Sequence, residues 1–181
     1  MNHRKGFSLL DVLLALAIVS IVAVLSAPRF NELTTQATPV IESERLLASI
    51  WAARHAAMTQ GKPVTMKADG SDWSTGWTLF VDSNHNATKD MNETVLHVAE
   101  PIKRGHQLKA NSGIGAALSY LPHGESRRPG GGLQMGTFTL CAPDKTEGLK
   151  PTHAIVISAT GRPRTIQTSS QLNASVCASD D

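Results

Sequence analysis

Lys5-Gly6-Phe7-Ser8-Leu9-Leu10-Asp11-Val12-Leu13-Leu14-Ala15-Leu16-Ala17-Ile18 is the stretch that decides how the chain reads. From Phe7 to Ala27 the only charged side chain is Asp11. Wound as an α-helix, a run of that length spans a bilayer core of about 30 Å. Arg4 and Lys5 stand just before it, which favours a cytoplasmic start. A secretory signal would instead carry an apolar region of about 7 to 15 residues and a small-x-small cleavage site. Leu25-Ser26-Ala27 is a poor version of that site, and a carboxylate at position 11 is out of place. A plain anchor accounts for the length but not for Asp11, because ionisable groups inside apolar helices are costly and usually functional. Asp11 therefore needs a partner.

Gly6-Phe7-Ser8-Leu9-Leu10-Asp11 followed by an apolar helix resembles the processing site of type IV prepilins. In that family a prepilin peptidase cuts after the glycine, here Gly6, and methylates the new amino terminus, here Phe7. The family usually has glutamate where this chain has Asp11; aspartate keeps the charge and shortens the reach by one methylene. Pro28 falls where many pilins carry a helix-bending proline. The resemblance implies a leader at 1–6, a transmembrane and assembly helix at 7–28, and single-pass attachment to the bacterial inner membrane with a periplasmic domain. It implies as partners prepilin peptidase, membrane lipid, and other major and minor pilins or pseudopilins. The Phe7 ammonium would then meet Asp11 of a neighbouring subunit, an attraction that is strong in a low-dielectric core only when the geometry is good. The alternative places Asp11 at the interfacial end of a tilted anchor.

The 181 residues leave room for one globular domain after the anchor. The formal charge of +2 falls to zero once Arg4 and Lys5 are removed. Its distribution says more than its sum. Residues 68–100 carry Asp69, Asp72, Asp82, Asp90, Glu93 and Glu100 against Lys89. Residues 101–164 carry Lys103, Arg104, Lys109, Arg127, Arg128, Lys145, Lys150, Arg162 and Arg164 against Glu125, Asp144 and Glu147. The C-terminal half is the candidate surface for a polyanion. Cys141 and Cys177 are the only cysteines. Beyond the inner membrane they meet an oxidising compartment and are expected to pair, contributing about 2–4 kcal/mol. Two buried free thiols are the other reading.

Leu46, Leu47, Ile50, Trp51, Ala53, Ala57 and Met58 follow helical spacing and predict an amphipathic continuation over 29–60. Gln60-Gly61-Lys62-Pro63 is a stop signal. Pro39 removes a backbone donor and predicts a kink or short break. From 61 to 181 the pattern is β-rich, with strands expected at Val64–Lys67, Trp77–Val81, Val95–Val98, Leu118–Leu121, Thr137–Cys141, Ala154–Ser158 and Thr165–Thr168. Trp73, Trp77, Phe80 and Phe138 are expected to face the helix as packing, not to stack bases.

Trp51-Ala52-Ala53-Arg54, Gly61-Lys62-Pro63-Val64, Gly76-Trp77-Thr78-Leu79-Phe80-Val81-Asp82, Phe138-Thr139-Leu140-Cys141, Ile155-Val156-Ile157-Ser158 and Gly161-Arg162-Pro163-Arg164, in that order, resemble the FimT/GspH group of minor pilins and pseudopilins. That resemblance implies an α+β fold, type IV pilin-like, with a long N-terminal helix packed on antiparallel sheet. A Gly-Arg-x-Arg segment near the C-terminus resembles the one associated with DNA binding in FimT-type pilins.

In an extended segment, Arg162 and Arg164 project to one side about 6–7 Å apart, a spacing suited to successive phosphates. Gly161 precedes them. The competing reading is a solvated strand end whose arginines pair with Asp180 and Asp181. Arg127-Arg128-Pro129-Gly130-Gly131-Gly132 reads either as a flexible basic loop that adds phosphate contacts or as a surface loop with two solvated charges. Asp82 to Glu93 places oxygen ligands at positions 1, 3, 5, 9 and 12 of a calcium-loop template, but Ala87 stands where glycine is required. An Asn/Asp-rich turn is the preferred reading, with no metal.

The histidines are scattered and no nucleophile motif is present, so no enzyme and no cofactor are expected. The resulting expectation is a minor type IV pilin that assembles into or primes a pilus and binds DNA during uptake. The alternative is a GspH-like pseudopilin of a type II secretion system that does not bind DNA.

Overall fold

The structure is a computed structural model that describes residues 8–144, 148–167 and 174–177, without the side chains of 24–37 and Ala174. Gly6 and Phe7 lie outside the described residues. The chain divides into two compact units, Met1–Thr38 and Pro39–Asp181.

Helix α1 (Leu9–Gln60) is the first element. Ser8 and Asp11 begin it reciprocally: the Ser8 backbone N–H donates to Asp11 Oδ2 at 3.0 Å, and the Leu10 N–H reaches Ser8 Oγ at 3.4 Å. This is a capping box, which satisfies donors that have no partner within the helix. The apolar side chains from Leu9 to Val22 are exposed all round the helix. Among the described residues no helix is long and apolar enough to cross a membrane; the described side chains of this run end at Ala23.

The sequence predicts a kink or short break at Pro39, and the short break does not occur, since α1 runs from Leu9 to Gln60 as one helix. Proline costs a helix about 3 kcal/mol by removing one hydrogen bond and crowding the preceding turn. The packed stripe that follows outweighs this loss. Leu46, Ile50, Ala53 and Ala57 are buried at spacings of four, three and four residues. Trp51 and Met58, included in the expected stripe, are instead exposed. Each follows a buried residue by one position, about 100° around the helix, and so leaves the core face. The Arg54 guanidinium lies over the Trp51 ring, 5.6 Å from its centroid. Gly61 ends the helix in the left-handed conformation (φ 64°), its N–H returning to the Ala57 carbonyl at 3.1 Å.

Among the described residues eight antiparallel strands follow: β1 (Val64–Ala68), β2 (Trp77–Val81), β3 (Val95–Ala99), β4 (Gln107–Ala110), β5 (Ala117–Tyr120), β6 (Gly136–Asp144), β7 (Gly148–Ile157) and β8 (Pro163–Ile166). They form two sheets, ordered β3-β2-β1-β5 and β4-β6-β7-β8. The seven expected strands are present, β2 with the expected ends and the others with shifted ones, while Thr168 lies outside the described residues; β4 has no counterpart among them. Its single buried side chain, Leu108, leaves no apolar alternation to read.

Pairing Val64 with Val81, Met66 with Leu79 and Ala68 with Trp77 turns those side chains into one core with the helix stripe and with Phe138, Leu140, Ile155 and Ile157 of the second sheet. Trp73 meets Phe138 edge-on at 4.8 Å, and Arg45 of α1 lies 5.1 Å above the Trp77 ring. These aromatics are packing residues, as expected. Phe80 is the exception. Opposite Thr65 in the β1–β2 register, it occupies the other face of the sheet, since neighbouring residues of a strand point to opposite sides.

On that face Asp82 is fully buried. Its Oδ2 accepts from the Thr65 hydroxyl at 2.6 Å and the Ala87 N–H at 2.9 Å, and its Oδ1 accepts from the Asn86 N–H at 3.0 Å. Glu93 accepts from the N–H groups of Ser83 and Asp90, and Asp90 accepts from the Asn84 amide. The segment is thus an Asn/Asp turn whose acids bind its own donors. Among the described residues no group of three or more His, Cys, Asp or Glu is placed to hold a metal ion.

Cys141 and Cys177 form a disulfide with Cα atoms 5.8 Å apart, as the redox compartment led us to expect. The bond ties β6 to a short 3-10 helix (Ala174–Cys177).

Ile50→Ala should lower the unfolding free energy by about 2–5 kcal/mol. Trp51→Ala, one residue on, should cost about 1 kcal/mol or less. Denaturant unfolding of the full chain in detergent, followed by circular dichroism, measures both.

Candidate nucleic-acid interface

The turn between β7 and β8 sets the position of the two C-terminal arginines. Ser158 and Arg162 close it: the Ser158 N–H donates to the Arg162 carbonyl at 3.1 Å, and the Arg162 N–H returns to Ser158 Oγ at 3.1 Å. Gly161 is buried at φ 75°, a conformation that suits glycine. A Cβ there would stand 2.5 Å from the Gly124 carbonyl oxygen and 2.8 Å from the Ser126 nitrogen. The Gly161 carbonyl accepts from the buried Tyr120 hydroxyl at 2.9 Å. Burial pushes the Tyr120 phenol far above its usual range, and nearby Arg54 opposes this only in part, so the phenol remains a donor. Arg54 itself donates from Nε to the Gly124 carbonyl at 2.9 Å.

Beyond the turn, Pro163 and Arg164 pair with Ile157 and Val156. Proline is tolerated here because it opens an edge strand. Arg162 and Arg164 are both exposed, and with Val156, Ser158 and Pro163 they line one open groove of about 450 Å³. Among the described residues neither has an ion-pair partner; Asp180 and Asp181 lie outside them. The arrangement places two guanidiniums on one groove, where an anionic chain could meet both.

Arg127 and Arg128 are held differently. Arg127 pairs with Glu125 at 3.0 Å and donates to the Gly131 carbonyl. Arg128 donates to the Ser112 and Gly113 carbonyls at 2.8 and 2.9 Å. The glycine-rich loop is thereby pinned at both arginines. Arg127 is largely neutralised by Glu125, while Arg128 keeps its positive charge on carbonyl oxygens. The close approach of Gly161 to Ser126 brings this loop beside the β7–β8 turn.

Sequence reasoning missed the supports of the site: Tyr120, Gly124, Ser126 and Arg54. None belongs to a charge run, and their spacing in the chain gives no sign that they meet. His153, outside this surface, has its pKa lowered by burial.

A long N-terminal helix with antiparallel sheets packed on its C-terminal part defines a type IV pilin-like protein. The chain belongs to the family described as Type II transport protein GspH, which matches residues 42–171, and residues 1–27 match the prokaryotic N-terminal methylation motif. The fold is similar to that of the type IV minor pilin FimU of Pseudomonas aeruginosa, with 22% identity and a TM-score of 0.56 over 77% of this chain and 92% of that one. It is also similar to the minor pseudopilin EpsH of the Vibrio cholerae type II secretion system, with 15% identity and a TM-score of 0.52 over 74% of this chain and 96% of that one. Among curated proteins no sequence match is found.

Gly161→Ala should destabilise the protein by about 1–3 kcal/mol, because it adds strain at a positive φ and a clash with backbone atoms. Gly148→Ala is the control. It shares a positive φ but opens onto free space, so its thermal midpoint should fall by less.

Proposed function

We propose that the chain is a minor type IV pilin of the FimT kind, which assembles into or primes a pilus and contacts DNA through the Arg162–Arg164 groove. The observation that carries the DNA reading is the alignment along one groove of two exposed guanidiniums that have no ion-pair partner among the described residues. Such a pair meets phosphates without reading bases, so binding is sequence-independent and falls steeply with salt. Arg128, carrying its charge on the neighbouring loop, extends the positive surface, and Arg127 adds little beside Glu125.

In this reading residues 1–6 are a leader removed by prepilin peptidase, 7–28 anchor the protein in the inner membrane, 29–60 continue the helix, and 61–181 form the periplasmic domain. The exposed apolar surface of α1 supports the anchor, since a helix apolar on every side belongs in lipid or against other helices. Asp11 would receive the Phe7 ammonium of a neighbouring subunit while its Oδ2 continues to cap its own helix. The role is one of assembly and binding, without catalysis.

The family match to a type II transport protein favours a second reading, a pseudopilin that assembles with other pseudopilins and has no affinity for DNA. Gel-shift titration of the full-length protein in detergent with duplex DNA at two salt concentrations separates the two. A pilin that binds DNA should lose affinity on Arg162→Gln or Arg164→Gln for every sequence, with the salt slope reduced by about one per arginine. Unchanged binding by the double variant would remove the groove from the DNA reading.

Processing is tested on protein recovered from membranes of a host with prepilin peptidase. Mass spectrometry should find a methylated Phe7 start, and Asp11→Ala should reduce incorporation into filaments while leaving the globular domain folded. Normal incorporation would rule out the ammonium pairing.

A further inference from the structure

The two sheets have four edges, and two of them are closed by the chain itself. Along β5, Arg127 N–H donates to the Ser119 carbonyl, Ser119 N–H donates to Gln134 Oε1, and Gln134 Nε2 donates to the Ala117 carbonyl. Along β4, Leu108 N–H donates to Ser74 Oγ. Among the described residues the other two edges are open. Among the described residues no group outside β2 bonds the backbone of β3, and none outside β7 bonds that of β8.

An open edge is a template for another strand, and proteins usually blunt it with lysine, proline or inward charges. β3 carries none of these: Val95, Leu96, His97 and Val98 are all exposed. Its surroundings are acidic. Exposed Glu100 follows it directly, Glu93 precedes it, and Asp69 accepts from Thr78, the cross-strand partner of Val98. β8 is the opposite case: it opens on Pro163, which has no N–H to offer, and carries the bases Arg164 and, in the turn just before it, Arg162.

We propose that β3 of one copy of this chain pairs edge to edge with β8 of the next. Symmetric alternatives oppose like charges, glutamate to glutamate at β3 or arginine to arginine at β8, which is destabilising. The mixed pairing aligns acid with base and covers Val95, Leu96 and Val98. Because the two edges differ, the contact repeats head to tail and gives a row instead of a closed pair. The inference is independent of the DNA reading, though the two share Arg162 and Arg164: in a row, the arginines of every copy but the last are covered.

The test uses full-length chains with different tags, one carrying Val98→Cys and the other Thr165→Cys, co-expressed in a host that assembles pili. Mild oxidation should give a mixed cross-linked dimer several-fold more abundant than either like pair. Glu100→Arg on the Val98→Cys chain should cut that yield several-fold, and Arg162→Glu on its partner should restore it. A dominant like pair, or no mixed product with both chains at normal levels and their Cys141–Cys177 bridges intact, overturns the proposal. DNA affinity of the Glu100→Arg chain, with both arginines present, is read separately by gel shift. Absence of the mixed product between the two cysteine chains, with DNA binding retained, therefore sinks the row alone, while unchanged DNA binding by the Arg162→Gln, Arg164→Gln variant, with the mixed product present, sinks only the DNA reading.

Discussion

The globular unit depends on the contact of one helical stripe with the inward faces of two sheets. Leu46 and Ile50 supply bulk, while Ala53 and Ala57, both fully buried, supply closeness: with only a methyl group at each position, the backbone of α1 can approach the sheet. Hydrophobic burial is non-directional, so the stripe alone does not set the register. The pairing of Val64, Met66 and Ala68 with Val81, Leu79 and Trp77 does, because a slip by one residue would turn the three core side chains of the slipped strand to the other face. The same register places Thr65, Phe80 and Asp82 on the face away from the helix, where Asp82 binds Thr65 and the Asn/Asp turn.

That division explains which parts of the fold were legible in the sequence. Strands with several apolar or β-branched residues announce themselves, and β2 was read to the residue. β4 was invisible because Leu108 is its only buried side chain. The helix stripe was legible in period but not in width: Trp51 and Met58 are apolar, yet each lies one position past a core residue. Periodicity identifies the element, and only packing identifies the edge of its buried face. Phe80 failed for a related reason. An aromatic residue was assigned to the larger core, whereas the alternation of β2 places it with a polar network that no local pattern discloses.

The site shows a similar limit. The spacing of Arg162 and Arg164 follows from strand geometry, and the structure agrees that they line one groove. The state of Arg127 and Arg128 was not legible, because it depends on Glu125 and on carbonyls of residues 112, 113 and 131. A run of bases and glycines reads as mobile until its hydrogen-bond partners are known. The supports of the Arg162 turn are likewise tertiary: Tyr120 reaches Gly161 across 41 residues, and Arg54 reaches Gly124 across 70.

Those long-range bonds link the helix to the basic edge. Arg54 on α1 holds Gly124, Gly124 crowds Gly161, and Gly161 sets where Arg162 begins. Phosphate contacts gain from such fixation, since less side-chain and loop freedom remains to be lost on binding. Freely moving arginines would reach more phosphates but lose more entropy for each one held. In the proposed DNA reading, a backbone turn fixed in this way trades reach for geometry, which suits contacts to phosphates that read no sequence.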